Sequence, residues 1–187
     1  ELRKIEGRNP ISRPIQERAD RTMMTTELLE RSGQLDALNA WQRESETESG
    51  RLVFVGGEAG VGKTTLIQQF CALAGNHARV LRGVCDALDT PRPLGPLLDI
   101  AASVGGELDR WLHEDAPRDQ IFRATLAELS AGPSILVIED AQWADQATID
   151  LLRFLGRRIG STRALVVVTY RDDEAGPNHP VRILLGD

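Results

Sequence analysis

Eight consecutive residues of this sequence combine three glycines with a lysine and a hydroxyl side chain. They are Gly57, Glu58, Ala59, Gly60, Val61, Gly62, Lys63 and Thr64. Glycine reaches backbone φ values that are closed to other residues, so such a segment can approach a bulky anion and point successive N–H groups at it. In the pattern G-x-x-x-x-G-K-[ST], the lysine supplies a charge for the β- and γ-phosphates of a nucleotide, and the hydroxyl ligates Mg²⁺. The segment therefore predicts a phosphate-binding loop.

The sequence on both sides of this loop fits the same prediction. The apolar run Arg51–Val55 before it predicts a β-strand, and the residues from Thr65 to Cys71 after it have helical spacing. A strand, a glycine loop and a helix, in this order, form the context that a phosphate cradle requires. The first residues of the helix, Thr65 among them, would add unpaired N–H groups and the positive end of the helix dipole. The alternative is a glycine turn that binds nothing, and the two flanks favour nucleotide binding over it.

Two carboxylates end a second apolar run. Residues 134–138 predict a strand that is buried on both faces, as the central strands of a parallel sheet are, and Glu139 and Asp140 follow directly. Ligands gather at the carboxyl ends of strands in open α/β sheets. One carboxylate would hold the water shell of Mg²⁺, and its neighbour would orient or deprotonate the attacking water of a hydrolysis reaction. The alternative is a strand-ending turn without chemistry, which the presence of the glycine loop disfavours.

Three more residues lie close to predicted strand ends. Arg171 follows the apolar run Arg163–Tyr170, and we expect it to sense the γ-phosphate; an ordinary surface arginine at a strand end is the alternative. Asp145 is placed to cap the helix that comes after it, which is a structural role. We interpret Trp143 as a packing residue rather than as a residue that stacks on adenine.

The remaining pattern predicts helices alternating with strands around one parallel sheet, which is the α/β class. A helix over Ser32–Glu46 carries Leu35, Leu38 and Trp41 on one stripe, and we expect this stripe to pack against the edge of the first strand. The other predicted elements are a strand over Ala78–Cys85, a proline-rich segment over Asp86–Pro96, helices over Leu97–Val104, Glu107–His113, Arg118–Ser130 and Gln146–Ile159, and a helix over His179–Leu185. We interpret the proline-rich segment as an exposed spacer, with a loop beside the nucleotide as the alternative.

The composition limits what the chain can do. Its 187 residues are enough for about one domain with a core of its own. The net charge of −6 does not provide the positive charge that attracts nucleic acid, so we expect no DNA binding by these residues. No apolar run has the length of a membrane span. The two cysteines, Cys71 and Cys85, are interpreted as buried free thiols in a reducing cytoplasm.

Residues 1–22 differ from the rest of the sequence. They carry charges and two prolines without apolar periodicity, which predicts a flexible tail. The segment Ile5–Arg8 resembles the recognition site of a protease that is used to remove fusion tags. We therefore expect the natural start at Met23 or Met24, the preceding residues to be added sequence, and the ATPase domain to cover residues 23–187. A genuine N-terminal arm that docks on a partner is the alternative.

Together these segments resemble the P-loop ATPase domain of STAND-type signalling NTPases, an AAA-like ATPase domain, and especially that of the large ATP-binding LuxR-type transcription regulators. The resemblance rests on the Walker A loop at residues 57–64, on the Walker B segment Glu139–Asp145, and on Thr169–Glu174, with support from Leu29–Arg31, Gln34–Leu35 and Pro93–Leu97. These segments span about residues 28–185. Many families share the glycine loop, whereas the combination of Glu-Asp-Ala-Gln-Trp-Ala-Asp with Thr-Tyr-Arg is much more specific.

The resemblance implies a three-layer αβα sandwich with the strand order 5-1-4-3-2. It also implies parts that we expect to lie outside this sequence: strand 5, a winged-helix lid, a sensor region, and a C-terminal helix-turn-helix through which DNA would be bound. Without strand 5, the edge of the Arg51–Val55 strand needs another cover, and the helix over Ser32–Glu46 or the tail is a candidate. Glu139 stands where the family pattern usually has Asp, which leaves open whether Glu139 or Asp140 is nearer the metal.

The residues and the resemblance lead to one main functional hypothesis and two alternatives. We expect a nucleotide switch that binds ATP with Mg²⁺, hydrolyses it slowly to ADP and phosphate, and controls domains outside this sequence, with a nucleotide-dependent oligomer as one form of output. The first alternative is a P-loop enzyme with fast turnover, such as a kinase or a motor ATPase, although adjacent Glu139 and Asp140 favour water as the acceptor. The second is a scaffold that retains nucleotide without turnover. ATP is favoured over GTP because no Asn-Lys-x-Asp guanine reader is present.

Overall fold

The fold is an α/β sandwich built around a parallel sheet. A computed structural model describes residues 2–6, 19–75, 77–88, 90–114 and 116–186, and it describes side chains from residue 32 onward. Within these residues the sheet has five strands: β1 (Leu2–Glu6), β2 (Arg51–Gly57), β3 (Arg79–Val84), β4 (Ser134–Glu139) and β5 (Ala164–Arg171). Their order across the sheet is β1-β2-β5-β4-β3, and every pair is parallel.

Helices cover both faces of this sheet. They are α1 (Ala19–Thr47), α2 (Lys63–Ala74), α3 (Gly95–Val104), α4 (Gly106–His113), α5 (Arg118–Ser130), α6 (Gln146–Gly156) and α7 (Pro180–Gly186). Because side chains alternate along a strand, β2 points Val53 and Val55 to one face and Leu52 and Phe54 to the other. The first face packs against α1 and α2, and the second against α3 to α7. This arrangement confirms the predicted three-layer sandwich.

The apolar pattern predicted most elements closely. The bounds of α5 agree with the predicted helix over Arg118–Ser130, and β4 begins at Ser134 as predicted. The predicted helix over Gln146–Ile159 is shorter, since α6 ends at Gly156 and a separate 3-10 turn covers Ile159–Ser161. Without the N-terminal strand, the order of the other four strands is the 1-4-3-2 part of the expected arrangement.

The structure differs from expectation at the beginning of the chain. Residues 2–6 form a strand, β1, although the sequence there predicted an irregular tail; Leu2 lies opposite Leu52 and Glu6 opposite Gly56. This strand occupies the position expected for strand 5 and covers the edge of β2. The helix expected from Ser32 begins at Ala19 instead. The expectation for residues 7–18 lies outside the described residues.

The apolar stripe of α1 does not cover the strand edge, whereas the other candidate, the tail, does so through β1. Leu38 is fully buried, and Leu35 and Trp41 pack beside it, in the cluster that α2 forms with one face of the sheet. The stripe is therefore buried as predicted, but against the sheet face, because β1 lies along the edge of β2. Among the described helices, none combines the length and the apolar character that crossing a membrane requires.

Candidate functional site

The glycine loop lies between the end of β2 and the start of α2. Gly60 has φ +75° and Gly62 has φ +88°, values that glycine adopts without the steric penalty of a side chain. A Cβ atom at Gly60 would have no heavy atom within 4 Å, so the loop faces open space at this position. Residues Gly57–Thr64, which we call the phosphate loop, therefore form an open turn of the kind that the sequence predicted.

The first turn of α2 presents backbone N–H groups toward this space. Gly62 is the N-cap residue, and no described side chain caps the helix. The first intrahelical bond runs from the Leu66 N–H to the Gly62 carbonyl at 3.0 Å. The N–H groups of Lys63, Thr64 and Thr65 precede that bond, and such groups, with the helix dipole, form an anion site.

The Lys63 side chain closes over the phosphate loop. Its Nζ donates to the carbonyl oxygens of Gly57 at 2.7 Å and Glu58 at 2.9 Å. Burial and the nearby positive charge of Arg171 lower the pKa of Lys63, while the Asp140 carboxylate opposes this effect. The ammonium group is thus held at the phosphate loop, within electrostatic range of Arg171 and Asp140.

Glu139 lies in a buried environment at the end of β4. It follows Ile135 and Val137 onto the sheet face that α1 and α2 cover, since all three have the same parity along the strand. Only 4% of its side chain is exposed, and its carboxylate forms a hydrogen-bonded ion pair with Nε of Arg82 on β3. Arg82 was not predicted to take part in the site.

Asp140 lies in a different environment, although it is the next residue. Its φ of +54° turns the chain after β4, and its N–H donates to Thr169 Oγ1 at 3.1 Å. The carboxylate is 26% exposed, and its Oδ1 lies 3.8 Å from Nε of Arg171. Asp140 therefore contacts the cation near the phosphate loop, whereas Glu139 contacts Arg82.

Gln142 connects the ends of β4 and β5. Its side-chain amide donates to Asp140 Oδ1 at 3.2 Å and accepts from the Arg171 N–H at 3.0 Å. Its backbone carbonyl accepts from Nε2 of His179 at 3.0 Å. Gln142 belongs to the Walker B segment but was not predicted to have a role; an amide two residues after the acidic pair was the available signal.

Arg171 lies next to the phosphate loop, as its position after an apolar run predicted. It is the register partner of Gly57 in the pairing of β5 with β2. Its Nη1 donates to Glu174 Oε1 at 2.5 Å, and its guanidinium lies 4.9 Å from the ring centre of Trp143. The hydrogen bond to Glu174 raises the pKa of Arg171 further. Trp143 packs against the larger core cluster, as predicted.

Asp145 caps α6 as predicted, and it also binds the proline-rich segment. Its Oδ1 accepts from the N–H groups of Ala147 at 2.8 Å and Thr148 at 3.2 Å, and its Oδ2 accepts from the Leu94 N–H at 3.1 Å. Leu94 has φ +55° and is buried. The proline-rich segment, which we interpreted as a spacer, is therefore fixed beside the Walker B segment, and a cleft of about 60 Å³ separates part of it from Trp143.

The two cysteines are free thiols, but only one is fully buried. Cys85 is buried directly after β3, where desolvation and the Asp145 carboxylate raise its pKa to about 12. Cys71 on α2 is only partly buried, which differs from the sequence expectation. Burial still raises the pKa of Cys71.

The residues present fit a nucleotide with Mg²⁺. The open glycine turn, the uncapped first turn of α2 and Lys63 supply donors for phosphate oxygens. Mg²⁺ usually keeps several waters and takes one or two protein oxygens in addition to phosphate oxygens. Thr64 and the two carboxylates offer that kind of donor, and the described residues contain no cluster of three or more His, Cys, Asp or Glu side chains that could form a protein cage for a metal.

The glycine loop between β2 and α2, with an acidic pair ending β4 two strands away, defines the class of P-loop nucleotide-binding ATPase folds. The model of the AAA ATPase domain family matches residues 27–168, which is more than half of the chain. The chain therefore belongs to the AAA ATPase domain family. None of the curated proteins matches it.

Solved structures of other proteins are similar to this chain. Cdc6p from Pyrobaculum aerophilum is 19% identical, with a TM-score of 0.54; the match covers 84% of this chain and 43% of that one. A chain from the structure of Drosophila ORC bound to AT-rich DNA and Cdc6 is 13% identical, with a TM-score of 0.46, and the match covers 92% of this chain and 57% of that one. The chain thus spans only about half the length of these proteins.

Proposed function

We propose that this chain is the ATP-binding, slowly hydrolysing domain of a nucleotide switch. The observation that carries the proposal is that Lys63, Asp140 and Arg171 come together beside the phosphate loop. Two cations there favour a polyphosphate, and a carboxylate next to them favours water activation over simple anion binding. ATP is the proposed nucleotide and Mg²⁺ the proposed metal.

Binding is assigned to the phosphate loop and to the start of α2. The N–H groups of residues 57–65 surround the phosphate oxygens, and Lys63 supplies the charge opposite the β- and γ-phosphates. The Thr64 hydroxyl and the Glu139 carboxylate would hold the metal, which would neutralise charge on the β- and γ-phosphates. Lys63 exchanges its contacts with the loop carbonyls for contacts with phosphate.

Hydrolysis is assigned to Asp140 and Arg171. Asp140 orients a water molecule and accepts its proton, while the water oxygen forms a bond to the γ-phosphorus and the bond to the bridging oxygen breaks, giving ADP and phosphate. Arg171 contacts the γ-phosphate and stabilises the charge of the transition state. Gln142 is a positioning residue, because it bonds both to the Asp140 side chain and to the Arg171 backbone.

Slow turnover is proposed because of the ion pair between Arg82 and Glu139. A carboxylate that is buried and bonded to a guanidinium is less available to a metal than a free one. The same observation favours the second candidate function, a scaffold that retains nucleotide without turnover. The two candidates differ in whether Asp140 still supports any phosphate release.

The output of the switch is proposed to lie in a longer protein. Because the chain resembles STAND-type and LuxR-type ATPase domains, we propose that a lid, a sensor region and a DNA-binding helix-turn-helix follow it in that protein. A ligand can shift a conformational equilibrium only by its difference in affinity for the two states. The state of the γ-phosphate at Arg171 would provide that difference.

Single-turnover and steady-state phosphate release from the purified protein test this proposal. We expect release slower than about 1 s⁻¹, which is the lower end of typical enzymes, and none from Asp140→Asn. The matched control is Asp150→Asn, an equal change on α6 that should leave release unaltered. Fast release would indicate a catalytic enzyme instead. Bound nucleotide without release from either protein would indicate the scaffold.

A further inference from the structure

The Glu174 carboxylate, close to the phosphate loop, binds the Arg171 guanidinium. Arg171 Nη1 lies 2.5 Å from Glu174 Oε1, and Arg171 Nε lies 3.8 Å from Asp140 Oδ1. The Glu174 contact is a direct hydrogen bond, whereas the Asp140 distance exceeds hydrogen-bonding range. The Arg171 side chain is 30% exposed, so its partners can exchange without disturbing the core.

The same guanidinium lies beside the groups assigned to the nucleotide phosphates. Arg171 is opposite Gly57 in the sheet register, and the next N–H, that of Asp172, donates to the Gly57 carbonyl at 3.4 Å. That carbonyl also accepts from Lys63 Nζ at 2.7 Å. The positive charge of Arg171 also lowers the pKa of Lys63.

We propose that Glu174 competes with the γ-phosphate for Arg171 and thereby sets how strongly the site prefers ATP over ADP; this inference rests on the proposed function. With ADP there is no γ-phosphate, and Arg171 keeps its bond to Glu174. With ATP, Arg171 exchanges Glu174 for a phosphate oxygen. The loss of the ion pair offsets part of the gain, so Glu174 holds the preference for ATP below the value that Arg171 alone would give.

The neighbouring carboxylates allow this role to be separated from a general charge effect. Asp172 is occupied elsewhere, since its Oδ1 lies 3.1 Å from Nη2 of Arg182. Asp173 is exposed and is not bonded to Arg171 in the described structure, yet its charge, like that of Glu174, acts on Arg171. Asp173→Asn therefore removes the same charge from the same turn without removing the contact.

Calorimetric titration with Mg²⁺ and either ADP or the non-hydrolysable analogue AMP-PNP tests the inference. The measured quantity is the ratio of AMP-PNP affinity to ADP affinity. We expect this ratio to be about two- to fivefold higher in Glu174→Gln than in Asp173→Asn, which is the range expected for an exposed ion pair. In an Arg171→Ala background, Glu174→Gln should change the ratio no further, because the competing group is gone. Glu174→Asp, which keeps the charge on a shorter side chain, should give an intermediate ratio.

Two results would overturn the inference. One is a ratio in Glu174→Gln that equals the ratio in Asp173→Asn, since the contact then has no effect. The other is a lower ratio in Glu174→Gln, since Glu174 would then orient Arg171 toward the γ-phosphate instead of competing with it. If both nucleotides bind in either case, the proposed function stands and only the role of Glu174 is wrong. If the folded wild-type protein binds neither nucleotide, the proposed function itself fails.

Discussion

At the scale of single residues, the two adjacent acids, Glu139 and Asp140, divide the site into a buried part and an open part. Consecutive strand residues point to opposite faces, and the left-handed backbone at Asp140 turns its carboxylate away from the strand direction altogether. The exposed fraction is 4% for the Glu139 side chain and 26% for that of Asp140. The open acid is therefore the one suited to contact water, which supports the roles proposed for the pair.

The ion pair of Glu139 leads to a prediction for Arg82. Arg82→Ala leaves a buried carboxylate without its cation, so we expect the free energy of unfolding to fall by about 2 kcal/mol in the absence of Mg²⁺ and nucleotide. Urea denaturation measures this change. The matched control is Arg79→Ala on the same strand, because its partner Glu128 is 28% exposed and surface pairs contribute less than about 1 kcal/mol. Equal losses in the two variants would contradict the account.

The lowered pKa of Lys63 leads to a prediction about pH. Burial and the Arg171 charge favour the neutral amine, so Lys63 loses its proton at a lower pH than an ordinary lysine does. Phosphate binding requires the charged form of Lys63, so the nucleotide affinity should be at its maximum at neutral pH. As the pH rises, the affinity should begin to decrease at a pH that is lower than the ordinary pKa of lysine. Titration of nucleotide affinity across alkaline pH measures this, with Lys63→Arg as the control that keeps its charge. A wild-type profile as flat as that of Lys63→Arg would argue against the lowered pKa.

At the scale of elements, Asp145 joins two segments that are far apart in the sequence. It caps α6 through the N–H groups of Ala147 and Thr148, and it also accepts from the Leu94 N–H in the proline-rich segment. The left-handed backbone at Leu94 is unfavourable for a side chain of this size, so the bond to Asp145 helps to keep it in place. This carboxylate therefore fixes the segment beside the Walker B residues.

Removal of this carboxylate should affect both segments together. We expect Asp145→Ala to lower the free energy of unfolding by about 2 kcal/mol, the sum of a lost helix cap and a lost hydrogen bond. Asp150→Ala, on the same helix, removes partly exposed ion pairs and an exposed hydrogen bond from Gln146, and it should cost less than about 0.5 kcal/mol. Chemical denaturation followed by circular dichroism compares the two. A small loss in Asp145→Ala would mean that the Leu94 segment does not depend on this residue.

Local sequence patterns predicted elements well where the pattern itself determines the structure. The periodicity of residues 118–130 gave α5, and the apolar run before Glu139 gave β4. The strand β1 was missed because its sequence, LRKIE, has three charged residues in five and pairs only where the edge of β2 offers a partner. Strand formation there depends on a segment about fifty residues away, which no local pattern contains.

The functional site, like the fold, was predictable only as far as local sequence patterns determine it. The glycine loop, the acidic pair and Arg171 could be recognised because their chemistry depends on neighbours in the sequence. The contact of Arg82 with Glu139 spans 57 residues, and the bond from the Arg171 N–H to Gln142 spans 29. Such contacts follow from the strand order and register, and these were known only as an expected family arrangement.

At the scale of the whole molecule, a binding site for a polyphosphate lies in a chain with a net charge of −6. The negative charges repel a nucleotide at long range, but this repulsion is screened over about 8 Å at physiological ionic strength. Under the proposed function, the local cations Lys63 and Arg171 then determine the affinity for the nucleotide. The turn after Arg171 is bonded to α7, because Arg182 contacts both Asp172 and the Ala175 carbonyl. Arg182 therefore ties α7 to the turn that carries Glu174.

The central claim is that the phosphate loop and Lys63 bind Mg-ATP. Isothermal titration calorimetry at physiological ionic strength, on wild type and Lys63→Ala of equal folded content, tests it most directly. We predict saturable binding with one nucleotide per chain in the wild type and an affinity about 10- to 100-fold lower in Lys63→Ala, because the variant loses charge-assisted hydrogen bonds to phosphate. No binding heat from well-folded wild-type protein, or an unchanged affinity in Lys63→Ala, would contradict the account.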